Sequence, residues 1–136
     1  MEEKNYQILR VPYVENGKQD KILVKFNIIT EYETEPPRGD AIYSISLKGK
    51  SLPFWIYGRN IIFIGDNKAM VESVKCKTWD PIYTIIIDLE NEKYANLMEW
   101  YTTISFQNER TELSNHIVKK KNLVLKDFED LDWIAL

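Results

Sequence analysis

Hydrolytic chemistry needs a nucleophile, a base to take its proton and an acid to orient the base. This chain offers one imidazole, His116, and one thiol, Cys76. His116 sits between Asn115 and Ile117, in no nucleophile motif, and Cys76 continues the alternating face of Met70 and Val74. Both therefore read as structural, Cys76 as part of a core. A single Cys excludes an internal disulfide framework and a Cys-based zinc site. Phosphate cradles place glycines together before a helix. Here Gly17, Gly39, Gly49, Gly58 and Gly65 stand singly, each at an expected turn. HExxH, CxxC and EF-hand spacings are absent. No catalytic, cofactor-binding or metal-binding set is expected, and the chain is not read as an enzyme.

Charge gives the remaining candidates. Glu31, Glu33 and Glu35 alternate along an extended segment, so their carboxylates share a face. Such a row can hold a hard cation, and more commonly forms a solvated edge that discourages pairing between chains. The segment from Asp127 to Leu136 mixes Asp127, Asp130 and Asp132 with Leu131, Trp133 and Ile134. Two readings compete for it. It is the last strand or turn of the domain, with Trp133 filling the core. Or it docks in a basic groove, with Trp133 as the anchor that buries large area at low entropic cost. Residues 41–77 carry a net charge of +4, with Lys48, Lys50, Arg59, Lys68, Lys75 and Lys77 interleaved with Phe54, Trp55, Tyr57 and Phe63 and followed by Trp79. That pairing suits single-stranded nucleic acid, but the blander reading places aromatics inside a sheet and lysines outside. Arg38-Gly39-Asp40 is a tripeptide that arises readily by chance.

These residues need a scaffold. At 136 residues the chain is one domain, spanning 1–136, with 44% apolar and 12% aromatic residues to build a core. Net charge is −3, against nucleic acid as a general partner. The start, Met1 to Asn5, has no apolar run, so a signal peptide is not expected, and no stretch approaches the roughly 20 apolar residues of a membrane helix. A reducing, cytoplasmic setting is the simplest expectation.

Period-two alternation dominates, the signature of strands. Ile22, Val24, Phe26, Ile28 and Tyr32 alternate with Lys25, Asn27 and Glu31, and Asn16-Gly17 suits a tight turn, so a hairpin 5–14/19–32 is expected. Ala41, Tyr43, Ile45 and Leu47 mark a third strand. Gly58-Arg59-Asn60 is read as a hairpin loop between 52–57 and 61–64, and Gly65-Asp66-Asn67 as another turn. Residues 70–77 form a strand, and Ile85-Ile86-Ile87 marks a central strand covered on both faces. Tyr94, Leu97, Met98, Tyr101 and Ile104 fall at helical spacing, so one amphipathic helix is expected near 91–105, with Asp88 or Asn91 at its start. Residues 108–115 are a polar connection and 117–126 a strand. The fold class is α+β: a mainly antiparallel sheet of about seven to eight strands with that helix packed on it. Barrel and open sheet both fit the pattern.

The leading functional expectation is a non-catalytic protein-binding domain of inhibitor or immunity type. It would mask a partner with a basic surface through Glu31, Glu33, Glu35, Asp127, Asp130, Asp132 and Trp133. The alternatives are a small subunit of a larger assembly of phage tail, baseplate or capsid kind, which would self-associate, and a single-strand binder using residues 48–77.

Overall fold

The computed structural model describes residues 8–12, 21–37, 39–107 and 110–136. In chain order the elements are β1 (Ile8–Pro12), α1 (Lys21–Lys25), β2 (Ile28–Thr34), β3 (Ile42–Leu47), β4 (Lys50–Ile64), β5 (Lys68–Val74) and β6 (Tyr83–Asp88). They continue with β7 (Lys93–Asn96), β8 (Thr103–Gln107), β9 (Arg110–Ser114), β10 (Leu123–Leu125), a 3₁₀ turn (Phe128–Asp130) and β11 (Ile134–Ala135). All pairings are antiparallel. An eight-stranded sheet runs β11-β7-β6-β5-β4-β3-β2, and β1 joins it along the far stretch of β4. A second sheet, β10-β9-β8, has three strands. The expected β-rich α+β class holds.

The main sheet is a meander from β2 to β7 that curls on itself. Phe54 on β4 meets Tyr94 on β7 edge to face at 5.3 Å between ring centroids, although two strands separate them in the ladder. Lys50 reaches Glu92 at 3.1 Å over the same gap. The face carrying these rings is therefore concave. It holds one core: Ile45, Leu47, Leu52, Phe54, Ile56, Ile61, Phe63, Val71, Ile85 and Ile87 among others. Among the described residues no ladder links β2 to β11, so the curl stays open rather than closing as a barrel. The convex face of β4, β5 and β6 carries Ile62, Ile64, Met70 and Ile86, and the small sheet covers them with Ile104, Leu113 and Leu125. Ile85-Ile86-Ile87 is thus buried on both faces, as the apolar run implies.

Four sequence expectations are corrected. First, residues 91–105 are not a helix but β7, a loop and β8. Asp88 accepts the backbone N–H groups of Glu90 and Asn91 at 3.1 and 2.9 Å, which closes a turn instead of opening a helix. Glu92 and Met98 then adopt φ of 50° and 62°, which no right-handed helix admits. Second, β1 pairs with β4, not with β2, so the expected hairpin does not form. Residues 21–25 are helical, and Ile22, Leu23 and Phe26 turn toward the concave core while Val24 points out. Asn27 ends that helix at φ 56°, its N–H bonded to the Val24 carbonyl at 3.0 Å. The Asn16-Gly17 turn lies outside the described residues. Third, residues 58–60 are not a hairpin loop. Strand β4 runs straight through them, with a register shift against β5 between Tyr57 and Ile62. The extra residues reverse the alternation, so Phe54 and Ile56 face the same core as Ile61 and Phe63. Fourth, residues 110–114 are strand β9, and of the expected strand 117–126 only Leu123–Leu125 pairs.

Candidate functional site

Strand β2 ends the ladder of the main sheet among the described residues. Its inner side chains, Ile28 and Thr30, are buried, while Ile29 is 52% and Tyr32 57% exposed. Glu31, Glu33 and Glu35 are all exposed beside them. The pairing Glu31↔Ser44, Tyr32↔Tyr43, Thr34↔Ile42 skips Glu33, a bulge that breaks the simple alternation expected of the three carboxylates. Tyr32 stands edge to face on Tyr43 at 6.2 Å, and its hydroxyl donates to Glu35 at 3.3 Å. Among the described residues no group of three His, Cys, Asp or Glu side chains is arranged to hold a metal ion.

The convex face next to this edge is polar and aromatic. Register aligns Glu31, Ser44, Trp55 and Val74 in one row, and Ile42, Tyr57, Glu72 and Thr84 in the next. Trp100 donates its indole N–H to Glu72 at 2.5 Å. Burial, together with the Asp40 and Glu72 carboxylates, pushes the Tyr57 phenol above its ordinary range. The loop after β2 closes over that phenol. A Cβ on Gly39 would fall 2.0 Å from the Tyr57 hydroxyl and 2.5 Å from a Pro36 ring carbon. Gly39→Ala must displace both of them, and we expect a loss of about 1–2 kcal/mol. It is read as a drop of several degrees in thermal midpoint. An unchanged midpoint would place the loop elsewhere.

The tail is built into the domain. Asp127 caps the 3₁₀ turn by accepting the Glu129 N–H at 3.1 Å. Phe128 is buried, and Leu131 and Trp133 pack on the convex core. Trp133 donates to the Phe128 carbonyl at 2.9 Å, and the Lys93 ammonium lies 4.9 Å above its ring. Strand β11 pairs with β7, and the Leu136 N–H reaches the Glu92 carbonyl at 2.9 Å. Of the tail's candidates, Asp130 and Asp132 are exposed, whereas Asp127 and Trp133 are engaged internally. The two acidic groups sit on opposite edges of the main sheet, β2 and β11, six strand spacings of about 4.8 Å apart along it.

The remaining candidates separate similarly. Cys76 is exposed in the turn after β5, not in a core as its alternation suggests, because β5 ends at Val74. His116 is engaged with Thr102: its Nδ1 lies 2.6 Å from the Thr102 hydroxyl, which also accepts the His116 backbone N–H at 3.0 Å. Phe54 and Phe63 are buried, Lys50 pairs with Glu92 and Lys68 lies over the Phe128 ring, so the basic–aromatic stretch is divided between core and surface. Lys48, Lys75, Lys77 and Trp79 stay exposed.

One surface was not anticipated. Asn115 donates to the Trp100 carbonyl at 3.1 Å and accepts the N–H groups of Ile117 and Val118 at 2.8 and 2.9 Å. This turn holds Ile117 and Val118 out at 63% and 44% exposure, and Met98, on the adjoining loop, is 66% exposed. Lys119 and Lys121 follow, both exposed, and Lys120 bonds to Glu99 and to the Trp100 carbonyl.

Comparison with known proteins matches no family model, no curated protein and no solved structure. Among the described residues no helix is long and apolar enough to cross a membrane.

Proposed function

We propose that this chain is a non-catalytic protein-binding domain, and that its principal binding surface is the β2 edge. The observation that carries the reading is the company the carboxylates keep. Glu31, Glu33 and Glu35 stand exposed along the same edge strand as Ile29, on the face of Glu31, and Tyr32, on the opposite face, both more than half exposed. An aromatic and an aliphatic side chain supply burial energy, and the acids supply steering and orientation toward a basic partner. A domain with this surface acts by covering another protein, in the manner of an inhibitor or immunity protein.

The test compares capture of proteins from the source cell by the parent chain, by E31K/E33K/E35K and by D130K/D132K. Partners of the β2 edge should fall at least tenfold with the first variant and persist with the second. An identical captured set with all three removes the β2 edge from consideration. A titration against single-stranded nucleic acid at low salt separates the binding reading from the nucleic-acid one, which predicts salt-sensitive affinity through Lys75, Lys77 and Trp79.

A further inference from the structure

We propose that the tip carrying Met98, Ile117 and Val118 docks on the β2 edge of a second copy of this chain, an inference that rests on reading β2 as a binding edge. The tip is a preformed surface. Asn115 bonds both apolar residues' N–H groups and the neighbouring Trp100 carbonyl, and Thr102 holds His116 beside them. The backbone of the turn therefore has little conformational freedom left to lose on docking. Three large apolar side chains stand in water there, at 44–66% exposure, followed directly by Lys119 and Lys121.

The chain itself carries the complement of this tip. The β2 edge also combines exposed apolar side chains, Ile29 on one face of the strand and Tyr32 on the other, with charge, but the charge is of opposite sign: Glu31, Glu33 and Glu35. Each surface thus offers what the other needs, apolar area for apolar area and ammonium for carboxylate. Because the two surfaces differ, the contact either occurs twice in a closed two-fold pair or repeats from copy to copy in a ring or fibre. Since the matching charges are exposed, salt weakens the contact.

Sedimentation velocity across micromolar to millimolar concentration tests this at low and high salt. The parent chain should rise above monomer mass with concentration at low salt and return toward it at high salt. E31K/E33K alone and K119E/K121E alone should each stay monomeric, because each then carries like charge on both surfaces. A mixture of the two should associate, since every contact between them is complementary again. All four positions are exposed, and circular dichroism confirms that the variants fold. A parent chain that stays monomeric up to millimolar, or association that survives both reversals, overturns the proposal. So does a monomer whose tip instead binds vesicles rich in anionic lipid and loses them on K119E/K121E. Failure of self-association with capture through β2 intact leaves the functional reading standing. Loss of neither association nor capture on reversing β2 removes that reading.

Discussion

Ile86→Ala should lower the unfolding free energy by about 3–4 kcal/mol, read in a urea titration as a fall in midpoint at unchanged slope. Ile86 has 0% exposure on β6, an interior strand of the main sheet. It projects from the convex face into the core shared with Ile62, Ile64 and Met70, and the small sheet closes over it with Ile104, Leu113 and Leu125. Truncation removes three methyl or methylene groups and leaves a space between two layers. The main sheet cannot collapse into that space, because β6 is hydrogen-bonded on both sides and its Ile85 and Ile87 are fixed in the opposite core. Ile134→Ala is the control: at 50% exposure on the short strand β11 it should shift stability by less than about 0.5 kcal/mol. Equal effects at the two positions would mean that the small sheet does not cover β6.

The same residues show what was legible in the sequence. Three consecutive isoleucines bounded by turn residues can only satisfy both faces of a covered strand, and they do. Tyr43, Ile45 and Leu47 alternate as a strand should, and all three reach the concave core. The failures come from reading one period where two signals compete. Leu52, Phe54 and Ile56 are even and Ile61 and Phe63 odd. That change of parity is the mark of a bulge in one strand, yet Gly58 and Asn60 gave it the look of a turn. Tyr94, Leu97, Tyr101 and Ile104 match a helical stripe, but Tyr94 serves the concave core and the other three the convex one. The stronger cue was local: Asp88 and Asn91 favour a turn. The run from Trp100 to Phe106 is rich in aromatic and β-branched residues, which suit a strand.

The candidate surfaces were legible only in part. The exposure of Glu31, Glu33 and Glu35 follows from local alternation and survives the bulge at Glu33. That β2 and the tail occupy opposite edges could not be read from local pattern, because strand order depends on pairings distant in sequence, such as β11 with β7. The basic tip was hidden by assigning Ile117 and Val118 to a strand. Asn115 overrides that preference by bonding the two N–H groups that a ladder would have used. The docking reading of Trp133 loses force for a related reason: its indole and ring already have partners within the domain.

Asp88→Ala should cost about 2–3 kcal/mol at neutral pH, and Asp88→Asn somewhat less. The carboxylate is 1% exposed at the end of β6 and accepts three hydrogen bonds: the backbone N–H groups of Glu90 and Asn91, and the Asn91 side-chain amide at 3.0 Å. Alanine leaves all three donors without this acceptor and removes the device that turns β6 into β7. Asparagine keeps one acceptor oxygen but sets its own amide against that of Asn91. The titration behaviour sharpens the expectation. Burial alone would raise the Asp88 carboxyl, but the Asn91 donors, the Lys68 charge and the Glu90 N–H outweigh it, and the net shift is downward. The folded state therefore holds its proton less tightly than the unfolded chain, whose carboxyl titrates near about 3.9. Its stabilising effect is fully present above that value and is lost as pH falls through the lowered folded value. The parent chain should accordingly lose stability on acidification faster than Asp88→Asn, which has no proton to bind there. The gap between their urea midpoints should stay constant from neutral pH to about pH 5 and narrow below it, toward about pH 3. Midpoints that run parallel over that range would show that Asp88 is not the buried carboxylate holding the turn.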